Sequence, residues 1–341
     1  MAAASPPLLP ATPAIHEIRL AVRAWLTEYG ATTVVVGLSG GADSAALTAA
    51  AVAEAHAVHA VVVDHRLQAG SDVVAARAVE FAESVGCASA QVRAVDVTGP
   101  GGLEAAARHA RYEALDDARC GHPVLLGHTL DDQAETVLLG LGRGSGLRSI
   151  RGMASFDDPW GRPLLGIRRD TTRLACEELG YDPYEDPHNS DPRFTRVRLR
   201  SEVLPLLEDA LGGGVAAALA RTAAQLREDG EALDAAAASV LSDALGQPGA
   251  PVGEQQLDTA TLASAPPAVG RRAVRAWLIE MGVSSPPDRT LRAVDALVRG
   301  WRGQGPVAVG RGPGRGSRLV VARRRGRLIL EFVDQQRCAD D

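Results

Sequence analysis

Six consecutive residues, Ser39, Gly40, Gly41, Ala42, Asp43 and Ser44, carry the first legible chemistry in this chain. Adjacent glycines permit positive φ and close backbone approach, so successive N–H groups can converge on a phosphate while a helix starting just beyond adds a favourable field. Ser39 and Ser44 add hydroxyl donors. Asp43 would repel a bound phosphate unless a divalent cation bridged the two, and hard oxygen ligands suit Mg²⁺. The segment therefore predicts a nucleotide bound with its metal, Asp43 being one ligand. Neither the Gly-Lys-Ser/Thr pattern of kinase-type loops nor the Gly-x-Gly-x-x-Gly dinucleotide pattern is present, and the chain contains no lysine. An ordinary Ser/Gly-rich turn is the plainer alternative, but the strand before, the helix after and the placed Asp and Ser weigh against it.

Two further clusters could do chemistry. His128 follows an apolar run, and behind it Asp132 and Glu135 lie three apart and Asp131 and Glu135 four apart, so their carboxylates can share one helical face. Such a pair could hold Mg²⁺ through Asp132, or bind an amine and take its proton; aspartates at a helix start can equally do no more than cap free N–H groups. On the preceding helix Arg108 and Arg111, at i and i+3, either clamp phosphate and stabilise a developing anion or form a solvated stripe. The stretch 186–200 opens as a Pro/Asn loop around Asn189 and then carries Arg193, Phe194, Arg196, Arg198 and Arg200 with no acid after Asp191. That composition suits phosphate contact and base stacking, and a solvated helix start is its alternative. Seven arginines between 311 and 327, again without an acid, are either a second polynucleotide contact or a soluble hairpin edge.

The elements that must position these residues follow from periodicity. A helical apolar period covers 15–29, strands are expected at 32–37, 58–64, 91–95 and 123–127, and helices at 45–55, 72–85, 103–119 and 131–141. This alternation predicts an α/β fold with a doubly wound parallel sheet, whose ligands collect at the carboxyl ends of the strands. Ser39, then Asp64 with His65, and His128 with Asp131 each fall just after a strand. Helices at 202–211 and 215–245 flank Gly212, Gly213 and Gly214; further on, helices at 267–281 and 288–301 precede strands at 307–309, 318–322 and 327–333. The expected division is a disordered tail over 1–13, a catalytic domain over 14–205, a helical linker over 206–250 and a small α+β accessory domain over 251–341.

The bulk properties narrow the class. At 341 residues two domains are expected, and 46% hydrophobic with 23% charged residues is ordinary for a globular protein. With no 18-residue apolar run and no signal peptide, a cytoplasmic location without membrane contact is expected. Four cysteines lack any C-x-x-C pairing, which points to packing rather than a cluster. A net charge of −6 means that any nucleic-acid binding must rest on local arginine clusters.

In these blocks the chain resembles the N-type ATP pyrophosphatases of the PP-loop superfamily and, among them, the tRNA(Ile)-lysidine synthetase family. The resemblance covers about 30–205 and runs in family order: SGGADS at 39–44, VDHRL at 63–67, ARHARY at 107–112, GHTLDDQAETVLLGLGRGSG at 127–146, RPLL at 162–165 and EDPHNSDPRFTRVRLR at 185–200. It implies a ligase that adenylates the wobble cytidine of tRNA(Ile) with a CAU anticodon, using ATP and Mg²⁺, and then attaches free L-lysine with release of AMP and pyrophosphate. By the same resemblance Arg108 and His128 serve adenylation, Asp132 and Glu135 form the lysine and metal site, Asp64 and His65 lie near the adenosine, and Arg111, Asn189, Arg193, Phe194, Arg196 and Arg198 contact tRNA. Val197 stands where the family usually has Asn, and the C-terminal portion is shorter than in the long members. A homodimer is compatible with the sequence. The tRNA thiolases would need a reactive or cluster-binding cysteine pair, and GMP or asparagine synthetases a glutamine-hydrolysing domain. A nonenzymatic ATP sensor would have no need of the acid pair.

Overall fold

The computed structural model describes residues 9–10, 12–98, 102–144, 146–187, 191–245, 256–312 and 317–334. The chain divides into two compact units, 1–227 and 228–341. Most of the expected tail therefore lies outside the described residues, and Pro13 already opens a helix.

In the first unit that helix, α1 (Pro13–Tyr29), leads into β1 (Thr33–Gly37), α2 (Ala42–Glu54), β2 (Ala57–Asp64), α3 (Ser71–Ser84), β3 (Ser89–Ala94), α4 (Leu103–Ala118), β4 (Val124–Leu125) and α5 (Leu130–Gly142). Each of these elements was expected from the periodicity, with ends shifted by a few residues. The stretch 143–200, rich in motifs but without a clear period, holds α6 (Leu147–Ile150), β5 (Phe156–Asp157), β6 (Trp160–Gly161), α7 (Arg169–Glu178) and α8 (Thr195–Arg198). A π-helical turn (Leu199–Val203) then passes into α9 (Leu204–Leu211), and α10 (Val215–Leu245) starts in the first unit and ends in the second.

The sheet order is β3-β2-β1-β4-β6-β5, parallel except for the β5–β6 pair. Consecutive strands β1 and β2 are neighbours and β4 lies on the other side of β1, so the winding reverses at β1 and leaves a crevice at its carboxyl end. The loop of six residues sits there. Val34, Val35 and Val36 are buried because helices cover both faces of a parallel sheet. Residues Ser44 through Ala51 of α2 are buried in succession, and their small side chains allow this helix, apolar nearly all round, to lie close to strands and neighbouring helices. Ile15, Ile18, Val22 and Trp25 of α1 complete that core from the outer side.

The second unit contains β7 (Leu257–Asp258), α11 (Thr259–Ser264), α12 (Pro267–Glu280), α13 (Asp288–Arg299), β8 (Val307–Arg311), β9 (Ser317–Arg324) and β10 (Arg327–Asp334), with sheet order β7-β10-β9-β8 and antiparallel pairing. Trp277, Leu278, Leu297 and Val294 fill its core. Among the described residues, no single helix is long and apolar enough to cross a membrane.

Candidate active site

The glycine loop is held from behind. Gly40 takes φ +82°, a conformation that suits glycine. Its carbonyl accepts bonds from the Tyr181 hydroxyl and the Tyr184 N–H, both at 3.0 Å, and the Ala42 carbonyl accepts the Cys176 thiol at 3.5 Å. With these carbonyls engaged on one side, the first N–H groups of α2 are left for a ligand, as at any helix start. Ser39 and Ser44 bond each other at 3.1 Å, and the Ser44 hydroxyl also receives the Ser39 N–H. Both hydroxyls are thus fixed before any ligand arrives.

The turn after β4 lies directly against this loop: a Cβ built on Gly127 would come within 2.9 Å of the Asp43 carbonyl carbon. Only glycine permits that approach, and it sets the start of α5 beside the start of α2. Within α5 the acids take separate tasks. Asp131 receives the Arg169 N–H at 2.8 Å and the Arg168 side chain, so it caps the start of α7. Asp132 uses Oδ2 to cap its own helix, accepting the Thr129 N–H at 2.8 Å, and turns Oδ1 towards Arg169 Nη2 at 2.7 Å. Glu135, fully buried, accepts Arg200 Nε at 2.8 Å and faces Arg169 Nη1 at 3.5 Å. Arg169 Nε completes the set 3.6 Å from Asp43, whose other oxygen takes the Thr172 hydroxyl. One guanidinium therefore joins the loop acid to the acid pair.

Their ionisation follows. Burial resists charge on Asp43 and raises its carboxyl above the usual range, against the Thr172 hydroxyl bond and Arg169. Burial also resists charge on Asp132, but Arg169 and the Thr129 bonds together hold that carboxyl below the usual range. Asp43 and Asp132 converge on one cationic group, so their oxygen donors and their placement fit Mg²⁺, which commonly takes one or two carboxylates and completes its shell with substrate phosphates and water.

Asp43, Asp132, Arg169 and Arg200 line one cavity of about 620 Å³ that also receives Asp64, His65, Arg111, His128, Tyr184 and Asp186. Tyr184 bonds Gln68 and Gln68 bonds Asp186, each at 3.0 Å, closing one wall. Among the cavity's other lining residues His65 Nδ1, His128 Nδ1 and Arg111 Nε are buried without a hydrogen-bond partner. Burial pushes the His128 imidazole down to about 3 and, with Arg111 nearby, lowers that of His65 as well. Burial likewise weakens the hold of Arg111 on its proton. Three unpaired polar atoms around one cavity are costly, and a bound anion or a base edge would relieve that cost.

The residues singled out in the sequence thus separate. Ser39, Gly41, Ala42, Asp43, Ser44, Asp64, His65, Arg111, His128 and Asp132 line the cavity, with Gly40 and Glu135 bound to its walls. Arg108 does not line it: the side chain is exposed, 4.7 Å over the Tyr112 ring, and donates to the Tyr112 hydroxyl at 2.9 Å. Arg193 and Arg198 are exposed and paired with Asp191 and Glu202 at 2.6 and 3.0 Å, while Phe194 and Arg196 are half-buried outside the cavity. Asn189 lies outside the described residues. Sequence reading passed over Arg169 and Thr172, and it left Arg200 as one arginine among four. A signal was available: Arg168 and Arg169 open a helix, where the backbone field disfavours cations, and such a local conflict marks a functional demand.

A glycine loop after the first strand of a doubly wound sheet, its carbonyls bound from behind and its N–H groups turned to a cavity, defines a PP-loop nucleotide-binding protein. Residues 15–207 match the PP-loop domain, and 257–329 match the TilS substrate binding domain. The tRNA(Ile)-lysidine synthase of Rhodococcus erythropolis is 64% identical over 331 residues, 97% of this chain and 99% of its own; that of Nocardia farcinica is 64% identical over 316 residues, covering 92% and 97%. The U34-tRNA thiolase NcsA from Methanococcus maripaludis, a solved structure, covers 63% of this chain and 79% of its own at 20% identity, with a TM-score of 0.49. The chain belongs to the tRNA(Ile)-lysidine synthase family.

Proposed function

We propose that this protein adenylates the wobble cytidine of tRNA(Ile) carrying a CAU anticodon and then joins free L-lysine to it. In the first step the cytosine 2-oxygen attacks the α-phosphorus of ATP, and the bond to pyrophosphate breaks. In the second the lysine amine attacks ring carbon 2, AMP departs, and the amine loses a proton. The observation that carries this reading is one cavity lined by both the phosphate loop and Asp132, with Glu135 buried behind Arg169 and Arg200 of the same lining, because the two steps use the same ring and must occur within reach of both groups.

The chain's residues divide the work. Ser39, Ser44 and the N–H groups of residues 40–43 hold the phosphates, and Asp64 and His65 border the adenosine. Asp43 and Asp132 would hold Mg²⁺, which supplies charge neutralisation to the departing pyrophosphate when bound. Arg111 and His128, whose Nε and Nδ1 are buried without partners beside the cavity, stabilise charge developing at the α-phosphate; His128 does so as a neutral imidazole. Arg108, exposed over Tyr112, serves adenylation with His128 by turning in from the rim of the site. Asp132 and Glu135 hold the lysine ammonium and one of them takes its proton. Arg193, Phe194, Arg196, Arg198 and Asn189 belong to the tRNA contact, together with the accessory domain over 251–341; the exposed pairs of Arg193 and Arg198 are weak enough to exchange for phosphate.

The test is direct. Protein, ATP, Mg²⁺, lysine and CAU-anticodon tRNA are incubated, the tRNA is digested, and the nucleosides are weighed. A lysine-modified cytidine is expected, and Asp43→Ala abolishes it. Normal product yield from that variant sinks the assignment of the loop.

A further inference from the structure

Resting on that reading of the acid pair, we propose that Arg169 sets the order of substrate binding: it occupies the carboxylates that lysine needs until the polyphosphate of ATP draws it away. Three nitrogens of its fork point at three acids, Nη2 to Asp132 at 2.7 Å, Nη1 to Glu135 at 3.5 Å and Nε to Asp43 at 3.6 Å, and the side chain is only 13% exposed. Arg200 lies on the same pair, 2.8 Å from Glu135 and 3.6 Å from Asp132. Two cations already balance Asp132 and Glu135. An ammonium entering this arrangement would meet two guanidinium groups at close range and no free carboxylate oxygen, since Oδ2 of Asp132 is committed to Thr129.

Of the two arginines, Arg169 is the one with another destination. Both arginines line the cavity with Ser39, Gly41 and Ser44, and the Nε of Arg169 already faces Asp43 of the phosphate loop. A triphosphate seated on that loop offers oxygens that match a guanidinium fork and carries more negative charge than the acids it leaves. Arg200 instead bonds both oxygens of Glu135 from the π-helical turn. Rotation of the Arg169 side chain towards the phosphates removes the hydrogen bond on Oδ1 of Asp132, leaving that oxygen 3.6 Å from Arg200, and uncovers one side of Glu135. Lysine then meets one guanidinium fewer at Glu135. Because coupling is reciprocal, lysine must tighten ATP by the same factor.

The experiment is lysine binding to the full chain, measured calorimetrically with and without a non-hydrolysable ATP analogue and Mg²⁺. Wild type is expected to bind lysine at least tenfold more tightly when the analogue is present. Arg169→Gln, with folding checked by thermal unfolding, is expected to bind lysine without the analogue as tightly as loaded wild type does, with less than twofold coupling remaining. Arg169→Lys keeps the charge and keeps the coupling. The wild-type comparison needs no variant: equal lysine affinity in its two states overturns the ordering role and leaves the lysine site standing. Coupling that persists in Arg169→Gln overturns it as well. Absence of lysine binding in every form overturns both this proposal and the reading of the acid pair.

Discussion

Asp131 and Asp132 are identical in sequence and adjacent in the chain, yet the first caps α7 while the second divides its oxygens between its own helix cap and Arg169. A helix cap and an ion pair with Arg169 meet at one residue. No local rule could have distributed them, because the partner that decides is on a helix 37 residues away. His128 shows the same dependence. Its place after β4 was legible; its loss of basicity was not, because that comes from burial and neighbouring arginines. In the unfolded chain the imidazole takes a proton below its ordinary value of 6.5, whereas in the fold it stays neutral until about 3. Stability linked to His128 is therefore complete above pH 6.5 and is lost progressively as pH falls towards 3. Urea unfolding at pH 7.5 and 5.0 is expected to show His128→Gln losing about 2 kcal/mol less than wild type over that interval.

At the scale of elements, α7 is the part of the site that periodicity did not reveal. Ten residues long and bordered by loops, it supplies Arg169, Thr172 and Cys176, which bind Asp43, Asp132, Glu135 and the Ala42 carbonyl. The strands and the larger helices were legible because a parallel sheet demands apolar runs, and α2 because it is buried nearly all round. A short polar helix that faces a charged cavity lacks both signatures. The junction of α2 and α5 yields a separate prediction. Gly127→Ala would force a methyl against the Asp43 backbone, since the added carbon meets main-chain atoms at 2.9 to 3.0 Å that cannot rotate aside. An expected cost of about 1–3 kcal/mol in chemical unfolding, with weakened ATP binding, follows from such overpacking. Unchanged stability and ATP affinity would show that the two loops are free to separate.

For the molecule as a whole, a net charge of −6 opposes tRNA, so affinity must come from arginines concentrated on a few surfaces. Arg196 is half-buried near Arg111, a cationic neighbour. The logarithm of tRNA affinity is expected to fall linearly with the logarithm of salt, and Arg196→Ala to reduce the slope by about 0.7–0.9, the value of one phosphate contact. An identical slope in filter-binding titrations would remove Arg196 from the contact. By itself the sequence determined the alternation of strand and helix, the loop at 39–44, and the family whose blocks recur in order, because these depend on local periodicity and on residue types at fixed spacing. Tertiary structure alone decided that the loop and Asp132 face one cavity with Glu135 buried behind it, that Arg169 and Arg200 neutralise the pair, and that Arg108 stands outside while Arg111 stands within. Those outcomes depend on which strand lies beside β1 and on which side chains share a low-dielectric space, and long-range packing sets both.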